Sequence, residues 1–94
     1  MENTALKPEL IEKERIGTLT FSKAMNADQH PELERQIRNA TRLGNAFRGK
    51  VYIYFHDDQG PKCVHTTIWA SGAKYVCLKG GVWLPIDHIL EIKQ

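Results

Sequence analysis

Val51-Tyr52-Ile53-Tyr54-Phe55-His56 alternates between two sets of side chains, and Asp57-Asp58-Gln59-Gly60-Pro61 after it is turn chemistry throughout. Successive residues of a strand face opposite sides, so Val51, Ile53 and Phe55 look one way and Tyr52, Tyr54 and His56 the other. The short period persists to the end of the chain. It predicts a second strand over residues 62–70, a hairpin loop at Ser71-Gly72-Ala73, and a third strand over residues 74–79. Gly80-Gly81 then turns the chain into a fourth strand, Val82 to Ile86, whose end Pro85 either demotes or places at an edge. Asp87-His88 is a tight corner before a last strand, Ile89 to Ile92.

Apolar positions test the register. With a loop at 71–73, Ala70 stands opposite Lys74, Ile68 opposite Val76 and Thr66 opposite Leu78. Val64, Ile68, Val76 and Leu78 then share a face with Val51, Ile53, Phe55, Val82, Leu84 and Ile86, which makes a coherent core. The same register sets Trp69 across from Tyr75, a favourable aromatic pair; a slip of one residue would mix the two faces. Cys77 falls opposite Thr67, about 13 Å along the strand from Cys63. A disulfide needs Cα atoms within about 7 Å, so two free thiols are expected.

Upstream the period changes to that of a helix. His30-Pro31-Glu32 opens it, since proline at the first helical position has no donor to lose and Glu32 and Glu34 complement the positive end. Leu33, Ile37, Ala40, Gly44 and Phe47 recur at steps of four and three and fall within about 80° of arc. Arg35, Arg38, Arg42 and Asn45 project from the opposite side, and the helix ends near Gly49. Residues 1–15 are polar around Leu6, Leu10 and Ile11, either a short helix after Pro8 or a loose arm. Gly17-Thr18-Leu19-Thr20-Phe21 alternates as a weak strand would, and Asn26 to His30 is expected to be a loop.

The chain has 94 residues and 10.8 kDa, with 41% hydrophobic and 26% charged residues. That fits one soluble domain with a modest core. No apolar run approaches the roughly 20 residues of a membrane helix, and Met1-Glu2-Asn3-Thr4 lacks the layout of a secretory signal. No membrane association and a cytoplasmic location are therefore expected. The net charge of +2 comes entirely from residues 1–50, with 9 Lys/Arg against 7 Asp/Glu.

Three features carry the functional argument. The first is the sheet face that holds Tyr52, Tyr54, Trp69, Tyr75 and Trp83, every Trp and Tyr in the chain. Such a face stacks nucleic-acid bases, meets another subunit, or is covered internally by residues 16–29 and the helix. The second is the stripe of Arg35, Arg38 and Arg42, with Arg48 and Lys50 beyond it. Guanidinium groups at one-turn spacing suit a phosphate backbone, whereas the plainer alternative is a solvated face paired to Glu32 and Glu34. The third is the scatter of His56, Cys63, His65, Cys77 and His88. Cys63-Val64-His65 matches none of the usual zinc spacings, so no metal and no other cofactor are expected. His56-Asp57-Asp58 is ordinary at a turn. No Gly-rich phosphate loop, nucleophile elbow or zinc-helix motif is present, and the chain is not expected to be an enzyme.

Over residues 31–92, the order of one helix and five short strands resembles the Sm-like fold, an SH3-like small β-barrel, and within it the Hfq-like proteins. Val51-Tyr52-Ile53-Tyr54-Phe55 matches the first strand, Asp58-Gln59-Gly60 the first turn, and Cys63 to Leu78 the bent hairpin. Ile86-Asp87-His88-Ile89 falls where the family carries a basic residue and a histidine, with Asp87 in the place of the lysine. The resemblance implies a ring-forming homo-oligomer with His88 and the residues near Gln59 towards an inner RNA face.

The expectation is thus a mainly β (α+β) chain. A five-stranded antiparallel SH3-like or Sm-like barrel, preceded by an amphipathic N-terminal helix, occupies residues 30–94, with residues 1–29 as an arm. Its function would be non-catalytic binding of single-stranded RNA, or regulation through it, with Arg35, Arg38 and Arg42 on phosphate, Tyr52, Tyr54 and Trp69 stacking, and His88 nearby. The alternative is a protein-interaction or self-assembly domain with those aromatics in the contact.

Overall fold

The computed structural model describes residues 8–22 and 29–94. The expectations for Leu6 and for the start of the loop at Asn26 lie outside these residues.

The alternating segment forms β2 (Val51–Asp57), antiparallel to β3 (Gly60–Thr66) with Val51 opposite Thr66 and Asp57 opposite Gly60. The turn between them is closed by Asp57, whose Oδ1 accepts the N–H groups of Gln59 and Gly60 at 3.0 and 3.1 Å. The Lys62 ammonium donates to the same oxygen at 3.1 Å, and both side chains are buried. On the other side of β2 lies β7 (Ile89–Lys93), with a bulge at Tyr54 and Phe55. A two-residue β1 (Glu9–Leu10) pairs in parallel with β3, so one sheet has the order β1-β3-β2-β7. β4 (Ile68–Ser71), β5 (Tyr75–Leu78) and β6 (Val82–Pro85) make a second, antiparallel sheet.

This corrects the expected five-stranded barrel: among the described residues seven strands lie in two sheets, and these close no barrel. Two causes are visible. First, the expected strand over residues 62–70 is two strands, because Thr67 stands outside both. Thr66 still faces Val51 of β2, whereas the Thr67 carbonyl accepts the Lys79 N–H at 2.9 Å beside the Ile68–Leu78 pair, so the chain changes partner strand at this residue. Second, the outer edge of β7 is not offered to the other sheet. The Ile92 N–H donates to Gln36 Oε1 at 3.0 Å and the Leu90 carbonyl accepts the His30 N–H at 2.8 Å. The helix α1 (Leu33–Phe47) packs against both β4 and β7, filling the place where the sheets would meet.

Nor is α1 the N-terminal element. β1 and a 3₁₀ turn over Lys13–Thr18 precede it, and the 3₁₀ turn packs against β6 and β3. The weak strand expected at Gly17–Phe21 does not form. Gly17 and Thr18 belong to that turn, which the Leu19 N–H closes on the Ile16 carbonyl at 3.0 Å. The helix begins two residues after Pro31, and His30 serves its start by accepting the Glu32 N–H on Nδ1 at 2.9 Å.

The core face falls where the alternation puts it. Val51, Ile53, Phe55, Val64, Ile68, Val76, Leu78 and Leu84 are fully buried, with Val82 and Ile86 at the margin. Leu33, Ile37, Ala40 and Gly44 of α1, and Ile11 and Ile16 of the upstream segment, close over it. Register in the second sheet differs from expectation. Ile68 faces Leu78, Ala70 faces Cys77 and Ser71 faces Val76, with a bulge between Ile68 and Ala70. Trp69 is the bulged residue and does not meet Tyr75, which instead packs edge-on against Trp83 at 6.5 Å. Cys63 and Cys77 are both free.

Candidate nucleic-acid interface

Because α1 buries one stripe, Arg35, Arg38 and Arg42 are held in solvent along the other. Arg35 pairs with Glu32 at 3.1 Å and Arg38 with Glu34 at 3.9 Å, both exposed contacts that cost little to exchange for a phosphate. Arg42 has no carboxylate partner among the described residues, and the same holds for Arg48, Lys50 and Lys79.

Three depressions link these cations. Arg38 and Arg42 line the first, about 520 Å³, which reaches Ser71 at the tip of β4. It shares Asn45 with a second of about 600 Å³, where Arg48, Trp69 and Lys79 converge. Lys79 belongs also to a third of about 370 Å³, lined by Lys13, Lys50 and His65. There His65 lies flat on Tyr52, with ring centroids 4.1 Å apart and planes within 6°. A basic track thus runs from the exposed side of α1, over Trp69, to the edge of β3. Among the described residues lining it, Glu12 is the one carboxylate.

Arg48 reaches the track from a conformation most residues avoid. It caps α1 in the left-handed region, at φ 55°, with its N–H on the Gly44 carbonyl at 3.0 Å. A non-glycine residue there carries a cost of about 1 kcal/mol.

The residues singled out in the sequence divide accordingly. Arg38, Arg42 and Trp69 line the track, and Tyr52 joins it through His65. Arg35 sits higher on the exposed side of α1 and lines none of the three depressions. Tyr54 does not join. It is half-buried on β2 between Cys63 and Glu91. Burial, and then the charges of Cys63, Tyr52 and Glu91, push its hydroxyl above the ordinary phenol value. Burial likewise raises the Cys63 thiol, partly offset by a hydrogen bond with Tyr54. His88 is in the interior, its Nδ1 3.1 Å from the His56 carbonyl and its ring edge-on to Phe21 at 5.0 Å. Tyr75 and Trp83 line a different groove.

Lys79 and His65 join the track without a periodic signal to mark them. His65 was readable from register alone, since it stands directly opposite Tyr52. Among the described residues, no three His, Cys, Asp or Glu side chains cluster as metal ligands would. Nor is any described helix long and apolar enough to cross a membrane. No protein-family model, curated protein or solved structure matches the chain.

Proposed function

We propose that the chain is a non-catalytic module that binds single-stranded nucleic acid, RNA in the first instance, along the track from Arg38 to His65. The observation that carries this reading is the run of Arg42, Arg48, Lys50 and Lys79, none with a carboxylate partner among the described residues, through three linked depressions, the middle of which holds Arg48 and Lys79 beside the exposed ring of Trp69. Cations take the backbone phosphates, and an exposed indole stacks a base at about 1–3 kcal/mol. The Tyr52–His65 pair offers a second ring surface at the far end. Nothing in this arrangement reads base edges, so binding along the track is tolerant of sequence.

The test is fluorescence anisotropy with a labelled uridine dodecamer, which contains no guanine, at several salt concentrations. Four phosphate contacts predict a slope of log affinity against log salt near about −3. Arg42→Ala and Lys79→Ala should each weaken binding several-fold and flatten that slope. Binding that ignores both substitutions and salt, or no binding at low salt, would overturn the reading. A second reading, self-assembly, is favoured by Phe47, a large apolar side chain at the end of α1 that is 78% exposed. Native mass spectrometry decides it, since a monomer in both the wild type and Phe47→Ser removes it.

A further inference from the structure

On another part of the surface the 3₁₀ segment and the second sheet enclose a groove of about 410 Å³ that the track does not use. Tyr75 and Trp83 form one wall, in T-shaped contact at 6.5 Å yet 48% and 58% exposed. Leu19 and Phe21 lend it apolar surface, and Lys74, Asp87 and His88 supply the polar groups. We propose that this groove is a slot for a guanine base carrying a phosphate.

The chemistry of the lining selects that ligand. Two large rings left half in water at a concave surface offer a stacking wall. Beside it, the Asp87 carboxylate is exposed and has no partner among the described residues. An ionised carboxylate only accepts hydrogen bonds. The Ser22 hydroxyl is already given to Asp58. The slot therefore asks for a base with donors side by side. Guanine presents adjacent N1–H and N2 amino donors on its pairing edge, which one carboxylate takes together. Adenine, cytosine and uracil each set an acceptor next to their donor. Lys74, in the same lining, is the cation for the phosphate.

The slot is a second site, and its test does not pass through the track. Isothermal titration of the full chain with guanosine, adenosine, cytidine and uridine 5′-monophosphates should give binding at least tenfold tighter for the guanine nucleotide. Asp87→Asn should reduce that affinity at least tenfold and remove the preference, and Trp83→Ala should abolish binding of all four. Asp87 is exposed on a short turn, so its variant is expected to fold; a native circular-dichroism spectrum checks this. Equal binding of the four nucleotides, no binding, or a preference that survives Asp87→Asn would each overturn the proposal. A further arm separates the sources of guanine. A uridine strand ending in guanosine that outbinds the all-uridine strand assigns the slot to a strand, and no gain assigns it to the free nucleotide. Because the dodecamer used for the track lacks guanine, either site can fail while the other stands.

Discussion

Gly44 and Ile68 meet backbone to backbone. A Cβ on Gly44 would overlap the Ile68 carbonyl oxygen and stand 2.8 Å from Thr67 Cγ2. The absence of a side chain here sets how closely α1 can lie on β4. Alanine would ordinarily favour a helix by about 1 kcal/mol over glycine. At this position the obstacle is backbone, which does not swing away, so the helix must lift. Gly44→Ala should therefore lower stability by about 1–3 kcal/mol, read as a lower midpoint in urea unfolding. A higher midpoint would mean that α1 does not rest on β4.

The Asp57–Lys62 pair sits inside the β2–β3 hairpin with both side chains out of water. Replacing Lys62 with Met strands a carboxylate that is also occupied by two turn N–H groups, and should cost about 3–5 kcal/mol. Asp57→Asn with Lys62→Met should recover part of this, since asparagine still accepts from the Gln59 and Gly60 N–H groups. Purely additive losses in the double-mutant cycle would show the two side chains to be energetically independent.

Arg48 sets stability against binding. Its left-handed backbone suits glycine, so Arg48→Gly should raise stability by up to about 1 kcal/mol. The same change removes a cation from the track. Binding of the uridine dodecamer should weaken severalfold, with the salt slope shallower by about 0.7. A variant that is both more stable and an undiminished binder would take Arg48 out of the interface.

Alkaline pH should loosen the fold through Cys63 and Tyr54. Both groups hold their protons more tightly folded than unfolded. The unfolded chain then releases protons first as pH rises, and stability falls above the ordinary thiol value of about 8.5. The urea midpoint should therefore drop between about pH 8 and pH 10, and Cys63→Ala should flatten the early part of that drop. In the folded protein Cys77, half-buried, should react with a thiol reagent before buried Cys63. Equal labelling rates would contradict that order of burial.

Local periodicity carried much of this architecture into view. Strict alternation over Val51–Phe55 and four-three spacing from Leu33 to Gly44 fix which faces are buried, because those faces are set by backbone geometry alone. The break at Thr67 was not legible, since a threonine inside a β-branched stretch continues a strand as readily as it ends one. The bulge at Trp69 was hidden for a similar reason. Pairing counted back from a loop assumes an unbroken ladder, and one unpaired residue moves Tyr75 from Trp69 to Trp83. Barrel closure failed on side-chain chemistry, because nothing marks Gln36 as the acceptor for a strand 56 residues away. In the interface, Arg38 and Arg42 were visible as a helical stripe. Lys79 enters only because the chain folds back beside Thr67, and His88 is withdrawn by a carbonyl that no spacing reveals.

The hydrogen bond from the Ile92 amide to Gln36 has one more consequence. An unguarded strand margin invites a β-segment from a neighbouring molecule, the route by which folded chains swap elements or begin to form fibrils. Here the helix holds that margin with its own amide side chain, and the Leu90 carbonyl is held by His30. A neighbouring strand must first lift α1 off Ile92, and with it the cover over the hydrophobic interior. Resistance to aggregation along β7 is therefore coupled to unfolding, and Gln36→Leu, with α1 still in place, should be the substitution that separates them.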